Sequence, residues 1–420
     1  MSELINTVKN TIGAIAITVV MALSWHGVTS AQNFNSDTQR VKGVENRDSV
    51  SGDGDVTISL ITCYPGEEIY ELCGHSAVRV RGENIDSVWN YGIFDFNQPN
   101  FVYRFVKGET DYRGASYPFR WFMPEYISTG RKVVEQDINF TPQEAREMLR
   151  LLRESVTPEN AVYRYNYIKD NCSTRIINSI DSAAGEKIIY PDSVRYGTYR
   201  NEMRAYHKNY PWYQFGIDVA LGSGLEDSIG SREEMYVPLE LMRNAASAKF
   251  NDGRPFVKAT RVLNPGEGDV TLPPTPWGLS PLFWAWLVAL ALGCVVVWNF
   301  MSGRLYLPVY AAWFFMLGLA GCLVAFLVFV SVHESTSPNV LILWLNPFQF
   351  LFVAGMAIRK LKSLAMAMAW YNFVVMAVLL IVYPFIKQSF NPAFFPLMLA
   401  TSALGATYAI LRNKTSYKKR

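Results

Sequence analysis

Few residues of this chain are suited to covalent chemistry, and two stand out by their surroundings. There are four histidines. His26 lies in the apolar N-terminal stretch and His333 between two long apolar segments, which leaves His75 and His207. His207, in the run AYHK, reads as an exposed helix residue beside a lysine. His75, in GHSA, enters an apolar, strand-like run, where a turn would present its imidazole at a strand end. Cys172, in DNCST, opens a helix whose apolar residues recur at helical spacing. A thiolate there is stabilised by the helix dipole and by unpaired amides, and a nearby imidazole lowers its pKa further. A nucleophile needs those conditions. A structural thiol would more naturally sit mid-helix among aliphatics. Cys63 and Cys73 are open to two readings, a disulfide or two free thiols, because spacing does not establish geometry.

Several elements must position these groups. The run 56–62 is strand-like and stops at a Tyr64-Pro65-Gly66 turn, and 76–81 and 86–94 are further strands rich in Val, Ile and aromatics. Thr141-Pro142-Gln143-Glu144 carries an N-cap, a proline at the first helical position and a capping-box glutamate, so a helix follows. The runs 131–140 and 161–168 read as strands on either side of it. A second helix starts at 171–173, with Ile176, Ile177 and Ile180 at helical spacing, and ends at Gly185. The stretch 199–250 reads as a helical extension lying against a membrane.

The rest of the chain sets the compartment. Half of the 420 residues are apolar, and the long apolar runs lie beyond Pro276. Residues 281–300, 306–330, 340–358, 365–386 and 392–411 each approach the roughly 20 residues needed to span a bilayer. At the N-terminus, Lys9, the apolar run 12–25 and the small residues Thr29-Ser30-Ala31 form the three-part pattern of a secretory signal. Cleavage after Ala31 is expected, and an uncleaved anchor is the alternative. With the following domain exported, the positive-inside rule puts Arg304, then Arg359, Lys360 and Lys362, then Arg412, Lys414, Lys418, Lys419 and Arg420 in the cytoplasm. The net charge of +3 is too small to suggest nucleic-acid binding. No metal-ligand spacing or phosphate loop is present, so neither a metal nor a cofactor is expected.

Four motifs together resemble one family: TCYPG at 62–66, GHSAVRV at 74–80, WNYGIFDF at 89–96 and DNCSTR at 170–175. They are similar to the DUF4105 family of Bacteroidota, in its lipoprotein N-acyltransferase branch, Lnb. The order His first, Cys later resembles circularly permuted NlpC/P60-type papain folds, including the lecithin:retinol acyltransferase-like enzymes. The resemblance implies an α+β, permuted papain-like soluble domain followed by an all-α five-helix transmembrane bundle. The expected divisions are a signal peptide at 1–31, a disordered spacer at 32–55, a periplasmic thiol acyltransferase-like domain at 56–270, transmembrane helices at 276–412 and a basic cytoplasmic tail at 413–420.

The resemblance also implies roles. Cys172 matches the nucleophile and His75 the general base, and Asn90 is the candidate to orient the imidazole, with Asp95 the electrostatic alternative. The implied reaction moves a fatty acyl chain from a membrane phospholipid to the α-amine of a diacylated lipoprotein, in a multi-pass protein of the bacterial inner membrane. Five spans exceed what an anchor needs, which suggests an intramembrane groove for acyl chains. Asn346, before Pro347, is a candidate substrate-binding residue, since intramembrane polar groups are commonly functional; a Pro kink with Asn346 bonded to a neighbouring helix is the alternative. His333 could meet a lipid headgroup or be an ordinary loop residue. Two other functions remain open on sequence: a membrane-anchored NlpC/P60-like cysteine peptidase or amidase, and a non-catalytic membrane receptor in which His75 and Cys172 merely pack.

Overall fold

A computed structural model describes residues 55–94, 99–185, 187–268 and 270–417. The signal at 1–31, all but the last residue of the spacer, Asp95 and the end of the basic tail lie outside the described residues. The chain forms two compact units, one of residues 55–209 and 228–273, the other of 210–227 and 274–417.

The first unit is α+β. Its strands are β1 (Thr57–Cys63), β2 (His75–Arg81), β3 (Asp86–Ile93), β4 (Asp111–Pro118), β5 (Val133–Ile138), β6 (Val162–Arg164), β7 (Ile188–Ile189), β8 (Lys249–Phe250) and β9 (Val257–Asn264). Seven of them form one antiparallel sheet in the order β6-β4-β3-β2-β1-β5-β9, while β7 and β8 pair separately. Side chains alternate between the faces of a strand. Leu60, Val78, Val80, Trp89 and Tyr91 point to a core shared with helices Pro142–Ser155, Cys172–Ala183 and Pro238–Ser247. Ile61, Cys63, Ala77 and Val88 point to the other face, under Phe122 and Tyr126.

Both expected helix starts are capped as their sequences direct. Thr141 accepts the Glu144 N–H at 3.2 Å and Glu144 accepts the Thr141 N–H at 2.7 Å. Asn171 and Thr174 form the same reciprocal pair at 2.9 and 2.7 Å. Strands β4 and β9 have no counterpart in the sequence reading. The stretch 199–250 forms four α-helices and one 3-10 turn, but it ends in β8, and its residues 210–227 belong to the second unit.

The second unit is helical. Pro281–Ser302, Leu307–Phe329, Arg359–Phe385 and Phe394–Asn413 are long and apolar enough to cross a membrane. The segment 340–358, expected as a continuous span, is instead broken. A 3-10 turn at Val340–Leu343 gives way at Asn346-Pro347 to the nine-residue helix Gln349–Ala357, only about 14 Å long at 1.5 Å per residue. Pro347 has no N–H to give to a continuing helix. Gly321 on the second span lets the break approach closely, because a Cβ there would lie 2.3 Å from the Asn346 carbonyl carbon. Below the break, Gln349 and Asn372 exchange hydrogen bonds of 2.8 and 3.0 Å, which satisfies two buried amides.

The helix Pro211–Ala220 is tied to the helical unit by polar contacts. Asn339 donates to Val219 O at 3.0 Å, Asn391 to Asp218 at 2.9 Å, and the Ser389 N–H to Glu226 at 2.9 Å. Lys387 pairs with Asp227.

Candidate active site

Strand parity places His75 and Asn90 on one face of the sheet. His75 opens β2 two residues before Ala77, and Ala77 stands opposite Asn90 on β3. His75 Nε2–H donates to Asn90 Oδ1 at 2.5 Å, and Asn90 Nδ2–H donates to the Tyr117 hydroxyl on β4 at 2.9 Å. Nδ1 is then the ring nitrogen left for another partner.

Cys172 is the neighbour placed to use it, since its sulfur and the His75 ring act on each other's charge and the Ser76 backbone N–H acts on the sulfur as well. Two local features let a residue of the helical layer reach the sheet here. The ladder between β3 and β4 is irregular between Asn90 and Ile93, and Gly92 there takes φ +92°, a left-handed backbone that glycine adopts without strain, at ordinary contact distance from Cys172 Cβ. The other is the helix start. Asn171 caps the Thr174 amide and sends its own amide N–H groups to Tyr167 O at 2.7 Å and Tyr236 O at 2.9 Å. The Cys172 and Ser173 amides therefore stay at the uncapped rim of the helix. Ser173 Oγ lies 3.0 Å from Ser76 Oγ, which ties the helix start to β2.

The electrostatics follow from this placement. Burial opposes ionisation of Cys172, but the His75 charge and hydrogen bond, with the Ser76 amide, outweigh it and hold the thiol below its ordinary pKa. Burial likewise opposes a charged His75, while Cys172 and the hydrogen bonds to Cys172 and Asn90 raise its pKa against the nearby Arg131. The two shifts favour a thiolate–imidazolium pair.

Cys63 and Cys73 are both free. Cys63 is fully buried opposite His75 in the β1–β2 ladder, and burial pushes its thiol up. Cys73 Sγ lies 3.1 Å from the Tyr167 hydroxyl, and burial pushes it up to about 12. Of the three exported cysteines, Cys172 alone is shifted towards the thiolate. Aromatic rings lead away from the site, with Tyr165 stacked 4.1 Å from Tyr112, Tyr112 4.9 Å from Phe94, and Phe94 6.2 Å from Tyr70.

The structure thus brings together His75, Cys172 and Asn90. Asn346 and His333 lie in the helical unit. Asn346 is buried, with its Nδ2 near Tyr371 Oη at 3.3 Å and its Oδ1 without a partner among the described residues. His333 is half-buried in the loop after the second span. Sequence reasoning missed Ser76, Ser173 and Tyr117. Ser76 follows His75 and Ser173 follows Cys172 directly, so adjacency was a usable signal for those two; Tyr117 sits on a strand that the sequence did not announce.

Residues 51–204 match the family model described as the Lnb N-terminal periplasmic domain, and residues 274–416 match that of the Lnb transmembrane domain. No curated protein and no solved structure matches the chain.

Proposed function

We propose, from the premise that this chain belongs to the Lnb family, that it is a lipoprotein N-acyltransferase with Cys172 as nucleophile and His75 as its base. The observation that carries this reading is the pairing of Cys172 with His75, each of which shifts the other towards its charged form. Their contact counts against a purely packing role for the two side chains.

In the first half-reaction the Cys172 thiolate attacks an ester carbonyl of a phospholipid. The C–S bond forms, the ester C–O bond breaks, and the departing alkoxide takes the proton of the His75 imidazolium. The Cys172 amide, at a helix start, is placed to donate to the oxyanion. In the second half-reaction the neutral α-amine of a diacylglyceryl-cysteine lipoprotein attacks the thioester. The C–N bond forms, the C–S bond breaks, and His75 receives the proton lost by nitrogen. Passing from thioester to amide is downhill, so no nucleotide is required, which suits the periplasm.

The family domains make this a membrane protein with a periplasmic N-terminal part. We place it in the inner membrane with its C-terminus in the cytoplasm, because Arg304, Arg359, Lys360 and Arg412 fall on the same side when five crossings, the broken segment 340–358 among them, are counted from an exported domain. Asn90 orients His75 in this reading, and Asn346 and His333 meet the lipid. The unpartnered Asn346 oxygen supports that role, since an unsatisfied polar atom at membrane depth is costly.

The test replaces Cys172 by Ala or Ser in a strain lacking any paralogue and examines lipoprotein N-termini by mass spectrometry. Diacylated termini are expected. Triacylated termini would overturn the assignment.

A further inference from the structure

The second half-reaction needs a place for an amine, and the periplasmic unit holds a polar site that the thiol chemistry leaves unused. Three glutamates near one another, Glu202, Glu234 and Glu240, are essentially without solvent contact. Two are saturated. Glu234 accepts the backbone N–H groups of Arg195 and Tyr196 at 2.8 and 2.6 Å and the Arg243 guanidinium at 3.2 Å. Glu240 accepts Arg195, Tyr206 Oη and Arg243 at 3.2, 2.9 and 2.5 Å. Glu202 has no hydrogen-bond partner on either carboxyl oxygen among the described residues.

The Tyr236 hydroxyl is also buried and unpartnered, and Glu202 is the charge that acts on it most strongly. Buried polar atoms are rarely left unpaired without a reason. Together Glu202 and Tyr236 present three oxygens without a donor among the described residues, enough acceptors for the two N–H groups of a neutral primary amine.

A short chain of contacts links this site to the cap of the nucleophile's helix and to Cys73. Glu202 lies one turn after Tyr199 on the helix Tyr199–Tyr206, and Tyr199 packs edge-on against Tyr236 at 5.4 Å. The Tyr236 carbonyl accepts the side-chain N–H of Asn171, the cap of the Cys172 helix, at 2.9 Å. On the other side the Tyr236 ring meets Tyr167 at 6.0 Å, and Tyr167 Oη meets Cys73 Sγ, two residues before His75.

We propose that Glu202 and Tyr236 bind the α-amine of the acceptor and hold it ready to attack the Cys172 thioester, a role that rests on the transferase reading above. An ordinary carboxylate would suit this poorly, since it would keep the nitrogen as an ammonium without a lone pair. Burial first, then the neighbouring Glu234 and Glu240, push Glu202 up to about 10, against the opposing pull of Arg243 and Arg195. An α-amine titrates near 8, so the shared proton rests on the carboxyl and the nitrogen stays neutral. The nitrogen then bonds to the thioester carbon, the C–S bond breaks, and its surplus proton leaves through His75, as in the second half-reaction.

The experiment separates the two half-reactions in the full-length protein. Vesicles containing phosphatidylethanolamine load the wild type, Glu202→Gln and Tyr236→Phe, and intact mass reports the acyl adduct. A synthetic diacylglyceryl-cysteine peptide or hydroxylamine is then added, and discharge of the adduct is timed. Glu202→Gln is expected to load, to discharge to the peptide about 100-fold more slowly, and to discharge to hydroxylamine at the wild-type rate. Tyr236→Phe should show the same pattern, slowed about fivefold to tenfold. Discharge of Glu202→Gln to the peptide at the wild-type rate would overturn the proposal and leave Glu202 bonded to buried water only. Failure of Glu202→Gln to load would overturn it as well, assigning the residue to structure. Failure of the wild type to load would instead sink the transferase reading.

Discussion

Tyr117 stands behind Asn90, its hydroxyl taking one amide N–H at 2.9 Å while the oxygen of the same amide takes the His75 ring N–H at 2.5 Å. The imidazole is therefore aimed at Cys172 by a relay that crosses three adjacent strands. Asn90→Ala should lower the acylation rate of Cys172 by tenfold to a hundredfold, about 1–3 kcal/mol for a lost buried partner. Tyr117→Phe should cost less, since the amide keeps its bond to His75. Equal rates for Asn90→Ala and wild type would remove Asn90 from the site.

The coupled shifts of Cys172 and His75 set a pH window. Cys172 sits below its ordinary pKa and His75 above its own. Both shifts widen the range in which sulfur is anionic and the ring cationic; protonation of sulfur opposes the ion pair at lower pH, and loss of the imidazolium proton opposes it at higher pH. Alkylation by iodoacetamide should therefore begin at a pH below that of an ordinary thiol. In His75→Ala burial acts unopposed by the imidazole, so the onset should move up. An unchanged onset in the variant would contradict the pairing.

The helix caps offer a matched comparison. Asn171→Ala and Thr141→Ala each remove a capping-box side chain, worth about 1 kcal/mol, and both should lower the melting temperature. Only Asn171→Ala should also slow Cys172 alkylation, because Asn171 anchors the helix start to Tyr167 and Tyr236.

In the helical unit Gly321→Ala should destabilise the detergent-solubilised protein by about 1–3 kcal/mol through overpacking. The added methyl would meet the Asn346 backbone, whereas a Cβ at Gly293, on the first span, meets nothing within 4 Å. Gly293→Ala should be neutral or mildly stabilising. Thermal unfolding of the two variants side by side decides this.

Much of the site was legible because its chemistry is local. A cysteine behind a polar cap and a histidine at a strand entrance announce themselves within a few residues, and both meet in the fold. The length of the apolar runs likewise announced the helical unit. Strands β4 and β9 stayed hidden because their pairing depends on partners far along the chain. Asp111–Pro118 carries charge and glycine in place of an apolar alternation, and Val257–Asn264 is an edge strand with alternate residues exposed. The third apolar segment reads as a full span by composition alone. Its break comes from one proline and from an amide that finds partners only after folding. Glu202 escaped notice for the same reason, since nothing in RNEMRAY marks a carboxylate that ends up buried.

The chain leaves the sheet unit at 210, returns at 228 and leaves it again at 274, so among the described residues it passes between the two units three times. Cutting the gene after residue 273 would not yield a clean water-soluble catalytic half. The fragment would still carry Asp218, Glu226 and Asp227, stripped of Asn391, Ser389 and Lys387. Anyone dissecting this protein must excise or bridge that excursion, and the helices from Pro281 onward, expressed alone, would lack residues 210–227.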